Sequence, residues 1–188
     1  MPAAKLITER DLKRALGHCS TRRHCLRDQT IIQLSYYAGL RACEIATLTV
    51  GDVYDVGGTV RSTVTLSAQQ TKGHRARVFY LNQRLARVFA NYWPVVNGRD
   101  SAAPLFVTQQ QTAFSANTIS QLFLSIYHSA GLIGCSSHSG RRSFITRLAE
   151  QGVAVHLLAA LAGHRSIQTT QRYITVNEAL LARAVELA

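Results

Sequence analysis

DVGGTVRSTVTLSAQQTKGHRARVFYL, residues 55–81, is where the hydrophobic period of the chain changes. Val60, Ser62, Val64 and Leu66 alternate with polar or threonine neighbours, the spacing of a half-buried strand. Arg77-Val78-Phe79-Tyr80-Leu81 is another extended run, and Asp55-Val56-Gly57-Gly58-Thr59 has the composition of a turn. The loop 68–75 joins the runs and carries Lys72-Gly73. A small sheet is therefore expected inside a chain whose remainder repeats at helical spacing.

Working outward, Thr8 is placed to cap a helix over Glu9–Leu16, with Gly17 as its stop. Ser20 or Thr21 opens a longer helix in which Leu26, Ile31, Leu34 and Tyr37-Ala38 recur until Gly39, and a short helix covers 42–48. Beyond the extended runs, Asn82 caps a helix over Arg84–Tyr92, and a loop passes Pro94 and Pro104. Helices follow over 116–130, 138–151, 155–162 and 167–173, stopped in turn by Gly131, Gly152 and Gly163, and Asn177 caps a last one to Leu187. No repeat, low-complexity stretch or composition break marks a linker. The expected fold class is α+β, mainly α-helical, as a single domain over 1–188.

Charge narrows the partner. The chain has 188 residues, 21 Lys+Arg against 10 Asp+Glu, a formal charge of +11 and 47% apolar residues, ample for a core and unlike a disordered basic tail. No apolar run approaches the roughly 18 residues of a membrane span, and the start has no apolar signal core. The reading is a soluble intracellular, cytoplasmic protein. Between Val56 and Ala149 stand ten cations and a single acid, Asp100. Such a bias repels itself until a polyanion neutralises it, and nucleic acid is the favoured partner. Only Lys5, Lys13 and Lys72 are lysines. Arginine grips phosphate in bidentate fashion, whereas lysine can give up a proton, so Lys72 stands out.

The four cysteines form no CxxC pair, and reduced thiols are expected. His18-Cys19 and His24-Cys25 repeat at a spacing that fits no common zinc finger, so they read as helix positions one face apart. GxxxxGK[ST], GxGxxG, HExxH and GxSxG are absent, and no carboxylates cluster to hold Mg²⁺. A two-metal nuclease or polymerase is disfavoured, and phosphate chemistry here is expected to be metal-free. It then needs a nucleophile, charge on the non-bridging oxygens, and an acid for the leaving oxygen. Paired guanidiniums supply the second, a tyrosine the first, and Lys72 the third. Glu44, three residues after Arg41, is close enough to orient it, and His138 and Arg141 at i, i+3 share a helix face. Each of these taken singly is an ordinary surface charge, cap or packing residue; their joint order is what points to a site.

That order resembles the catalytic domain of tyrosine recombinases, also called phage integrases. The resemblance is carried by Ala38-Gly39-Leu40-Arg41-Ala42-Cys43-Glu44-Ile45-Ala46-Thr47-Leu48, Thr71-Lys72-Gly73, His138-Ser139-Gly140-Arg141-Arg142-Ser143-Phe144, Leu161-Ala162-Gly163-His164 and Thr169-Thr170-Gln171-Arg172-Tyr173, from about Thr8 to Leu181. It implies a helical catalytic domain with a three-stranded antiparallel sheet, motifs over 38–176, and no metal or nucleotide cofactor. By the resemblance Arg41 and Arg141 clamp the scissile phosphate, Lys72 protonates the 5′-oxygen, and His138 acts in acid–base transfer. His164 hydrogen-bonds the phosphate, Tyr173 forms a 3′-phosphotyrosyl link, and Glu44 supports the site from behind. Arg75, Arg77, Arg142 and Arg165 are left for the DNA backbone. The implied partners are double-stranded DNA, protomers exchanging the C-terminal helix 177–187 within a DNA-bound tetramer, and accessory DNA-bending proteins; the implied location is the nucleoid.

Two departures qualify the resemblance. Many members place a His directly after the second Arg, where this chain has Arg142. Most also carry a separate N-terminal domain that clasps the DNA, so the chain reads as a short single-domain form or as a fragment. Two further classes share the charge: a recombinase-like regulator that binds DNA without cutting it, and a type IB topoisomerase. The first has no need of the intact Arg41, Lys72, His138, Arg141, His164 and Tyr173 set, and the second needs no paired sites.

Overall fold

In the computed structural model, residues 4–173, 181–182 and 185–186 are described. The helix expected over 177–187 falls for the most part outside the described residues. Helix α1 (Glu9–Ser20) begins at a reciprocal cap: Thr8 Oγ1 accepts from Asp11 N at 3.1 Å, and Asp11 Oδ2 accepts from Thr8 N at 3.1 Å. Gly17 does not stop it. An exposed helical glycine costs only about 1 kcal/mol, and one further turn buries Cys19 completely. Because α1 takes up Ser20 and is closed by Thr21, α2 (Cys25–Ala38) starts later than expected, with His24 at its N-cap.

Helix α2 is the axis of the fold. Ile31, Ile32, Leu34 and Tyr36 are fully buried around it, and it packs against α1, α5 (Gln83–Val96) and α7 (Ser139–Glu150). Gly39 closes α2 with φ +65°, where a side chain would be strained. The loop expected at Pro94 is helix instead, and the added turn seats Val96 in the core. Asn97 N bonds Trp93 O at 2.8 Å to end it.

Short helices α3 (Ala42–Ala46) and α4 (Val50–Val53) lead to the hairpin of β1 (Thr63–Leu66) and β2 (Arg77–Tyr80). The strands are antiparallel with Val64 opposite Phe79, and Val64, Leu66 and Phe79 face the core. Among the described residues the sheet has two strands, not the expected three. Val60 makes one isolated bridge to Tyr54. The Asp55 carboxylate accepts from Gly57 N at 2.9 Å and Thr59 N at 2.7 Å and so closes the turn next to that bridge. The remaining helices are α6 (Ala116–Ser129), which packs on α3, then α8 (Val155–Ala162) and α9 (Ile167–Gln171). No helix among the described residues is long and apolar enough to cross a membrane.

The crossing of α2 and α7 positions the site, and Gly140 sets its closeness. A Cβ there would lie 2.6 Å from Ser35 Oγ and 3.1 Å from the Ser35 carbonyl carbon, so backbone must shift. Gly140→Ala is expected to cost about 1–3 kcal/mol, the scale of overpacking, measured as a lower urea midpoint at unchanged m-value. An unchanged midpoint would show that α7 is free to move.

Candidate active site

The site is organised around one buried carboxylate. The Glu44 side chain is 0% exposed. Arg41 N donates to its Oε2 at 2.8 Å and Arg41 Nη1 to its Oε1 at 2.9 Å. Arg77 Nη2 reaches Oε2 at 2.7 Å and Arg77 Nε reaches Oε1 at 3.1 Å. Burial alone disfavours the ionised form, but the bonds and charge of Arg77, then of Arg41, outweigh it and hold the carboxyl below its ordinary range.

Arg77 is thereby a correction. It was expected on the DNA backbone, yet its side chain is 9% exposed and its Nη1 is committed to Leu161 O at 2.9 Å. The physical reason is that a fully buried carboxylate needs paired cations to repay its desolvation. Arg77 lies on the inward side of β2 with Phe79, so it is the side chain that can reach Glu44.

Arg41, freed from holding Glu44 alone, keeps 23% of its side chain exposed. Arg141, from the first turn of α7, is deeply buried: Nη1 donates to Gly39 O at 2.6 Å and Nη2 to Ala162 O. Its guanidinium therefore ties the end of α2 to the end of α8. Burial, then Arg41, push its pKa down to about 9 against the help of Glu44. Arginine keeps its proton in proteins, so Arg141 remains a cation in this buried position.

His164 follows Gly163, which ends α8 with φ +60°, and its Nδ1 shares a hydrogen bond of 2.8 Å with Thr170 Oγ1. Its ring stacks on Tyr173 at 6.0 Å and 18°. Burial and the cations Arg141, Arg41 and Arg77 lower its pKa to about 4, so it is neutral at pH 7. His138, the N-cap of α7, is shifted down also, by desolvation and then by Arg141, Lys72 and Arg41. The sign of the linkage follows. The unfolded histidine takes up a proton near pH 6.5 and folded His164 only near 4, so its contribution to stability is complete above about 6.5 and is lost as pH falls towards 4. His164→Gln should therefore narrow the difference between urea midpoints at pH 7 and pH 5, and an unchanged difference would contradict the neutral imidazole.

A cavity of ≈ 500 Å³ is lined by Arg41, Lys72, Arg75, His164 and Arg165 among others, and an adjoining one of ≈ 840 Å³ by Arg41, His138, Arg141, Arg142, His164 and Tyr173. Arg41, His164 and Thr169 line both, which makes them one groove. All six expected catalytic side chains thus meet in it. Lys72, Arg75 and Arg165 are exposed there, while Arg142 spends its Nη1 on Ala4 O at 2.6 Å. Thr170, fully buried behind His164, was missed; the Thr169-Thr170 pair was its only signal in the sequence. Cys19 lies in α1 and Cys25 in α2, so the two His-Cys pairs do not share one helix face. Among the described residues no group of three or more His, Cys, Asp or Glu gathers to hold a metal.

The model of the phage integrase family matches residues 5–179. Tyrosine recombinase XerD of Neisseria meningitidis serogroup A is 30% identical over 187 residues, covering 96% of this chain and 62% of that protein. Tyrosine recombinase XerC of Pelobacter propionicus is 29% identical over 153 residues, covering 81% of this chain and 48% of its own length. The chain thus spans about half to three-fifths of the length of these relatives. Among solved structures, the crystal structure of XerA recombinase superposes with a TM-score of 0.77 at 22% identity, over 100% of this chain and 65% of that one. The Tn1549 transposon integrase in complex with circular intermediate DNA gives 0.74 at 20% identity, over 100% and 68%. These likenesses show that the fold is that of tyrosine recombinases.

Proposed function

Because this chain belongs to the phage integrase family, we propose that it is a site-specific DNA recombinase, breaking and rejoining strands through a 3′-phosphotyrosyl intermediate without metal or ATP. The observation that carries the proposal is the convergence of Arg41, Arg141, His164, His138, Lys72 and Tyr173 on one groove lined by more cations than acids. A phosphodiester supplies the missing negative charge. As Tyr173 Oη attacks phosphorus, the 5′-oxygen leaves with a proton from Lys72, and the guanidiniums of Arg41 and Arg141 meet the charge that grows on the non-bridging oxygens. Neutral His164 hydrogen-bonds the same phosphate, and His138 takes up the tyrosine proton. The new aryl phosphate keeps the bond energy, so attack by a 5′-hydroxyl reverses the step on the same or another strand.

Arg75 and Arg165, exposed at the groove, contact the DNA backbone, and Arg142 adds charge near Tyr173. The same reading places the protein in the cytoplasm on the nucleoid and makes the working unit a DNA-bound tetramer joined through the segment 177–187, aided by accessory DNA-bending proteins. The test is a duplex nicked so that cleavage releases a short fragment. In the presence of a chelator the chain should convert to a covalent DNA adduct on a denaturing gel. No adduct, or an adduct that requires a divalent metal, would overturn the proposal.

A further inference from the structure

A second basic cavity lies at the far end of α2. It has a volume of ≈ 240 Å³ and is lined by Arg23, His24, Cys25, Arg27 and Arg99, among others, where the start of α2 meets the last turn of α5. Asp28 is the acid of this region, and it is already shared: Arg22 Nε reaches Oδ2 at 2.8 Å, and Arg27 reaches Oδ1 through Nη2 at 2.7 Å and Nε at 2.9 Å. Arg27 Nη1 is spent on Val107 O at 2.8 Å. Asp100, next to Arg99, is turned to Ala102 N at 2.7 Å. Among the described residues neither Arg23 nor Arg99 makes a salt bridge.

The nitrogens themselves show what is missing. Arg99 Nη1 and His24 Nε2 are buried from solvent and have no hydrogen-bond partner. A buried guanidinium nitrogen without an acceptor is a costly arrangement, and here it sits beside further guanidiniums that one carboxylate cannot neutralise. The side chain of His24 makes no cap at the amino end of α2, and Cys25, Leu26 and Arg27 of that first turn also line the cavity. We propose that this cavity binds a small phosphate-type oxyanion, held by Arg99 and Arg23 with His24 and the first turn of α2. A tetrahedral oxyanion offers paired acceptors to a guanidinium fork and further oxygens to the amides. The volume suits a phosphate or a small phosphorylated molecule.

The cavity is separate from the catalytic groove. Helix α2 has 14 residues, about 20 Å at 1.5 Å per residue, and its opposite end is Gly39, the partner of Arg141. The two sites share no lining residue. The inference is independent of the reaction proposed above, because Arg23, His24, Arg99 and the first turn of α2 all lie outside the catalytic groove.

The test follows the His24 and His164 ring resonances of the 188-residue chain during titration with inorganic phosphate, with chloride at matched ionic strength as one control arm and a short DNA duplex as another. His24 should shift saturably with phosphate and not with chloride or duplex. Arg99→Gln should weaken that response at least tenfold while leaving the His164 response in place. Arg23 is exposed, so Arg23→Gln keeps the fold and should weaken the response as well, which decides the matter if Arg99→Gln fails to fold. A silent His24, an equal response to chloride, or an unchanged affinity in the variants would overturn the site. A stronger response to the duplex than to phosphate would overturn the small-anion ligand.

Discussion

Tyr173→Phe is expected to bind DNA with the affinity of the parent chain and to form no covalent adduct at all. The ring of Tyr173 stacks on His164 at 6.0 Å and 18°, a contact that phenylalanine keeps. What disappears is a single oxygen, the one the proposed reaction uses to attack phosphorus. The two readouts separate chemistry from binding: electrophoretic mobility shift for affinity, and denaturing gels for the adduct. An adduct formed by the variant would remove Tyr173 from the reaction, whereas loss of DNA binding along with cleavage would mean that its hydroxyl serves the structure.

Arg41→Ala should slow cleavage about 10²- to 10³-fold, roughly 2.7–4 kcal/mol of transition-state stabilisation, the scale for removing one group that meets a developing oxyanion. The fold should survive. Glu44 keeps both bonds from Arg77, at 2.7 and 3.1 Å, so the buried carboxylate is not left alone. Single-turnover rates on the nicked duplex, set beside the urea midpoint, make the comparison. A rate within a few-fold of the parent would take Arg41 out of the site. A large loss of stability would show that Arg41, not Arg77, is the partner on which Glu44 depends.

The contrast between Arg41 and Arg77 shows where sequence reasoning reached and where it stopped. Arg41, Glu44, His138 and Arg141 were legible because short helical spacings bring them to one face, and local spacing is something a sequence displays. The pairing of Arg77 with Glu44 joins residues 33 apart through the inward side of a strand. The run 77–81 was legible as extended, but a cation in it reads as solvated until a buried carboxylate is found opposite it. Thr170 behind His164 escaped for a similar reason, since a threonine in a short helix carries no label for its partner.

The elements divide in the same way. Caps such as Thr8 and Asn82, and the stops at Gly39 and Gly163, were legible because their hydrogen bonds are local. Gly17 misled because its local cost, about 1 kcal/mol for an exposed helical glycine, is smaller than the gain from burying Cys19, and Pro94 misled because the helix runs through it to bury Val96. Of the expected third strand only one bridge is present among the described residues, Val60 to Tyr54, beside a turn closed by Asp55.

The most direct measurement of the central claim is to digest the trapped adduct with trypsin and locate the nucleotide by mass spectrometry. Cleavage after Arg172 and Arg183 releases residues 173–183, in which Tyr173 is the only tyrosine. The account requires that this peptide carry the DNA through a 3′-phosphate on Tyr173. A nucleotide on any other peptide, or a 5′-phosphate linkage, would contradict it.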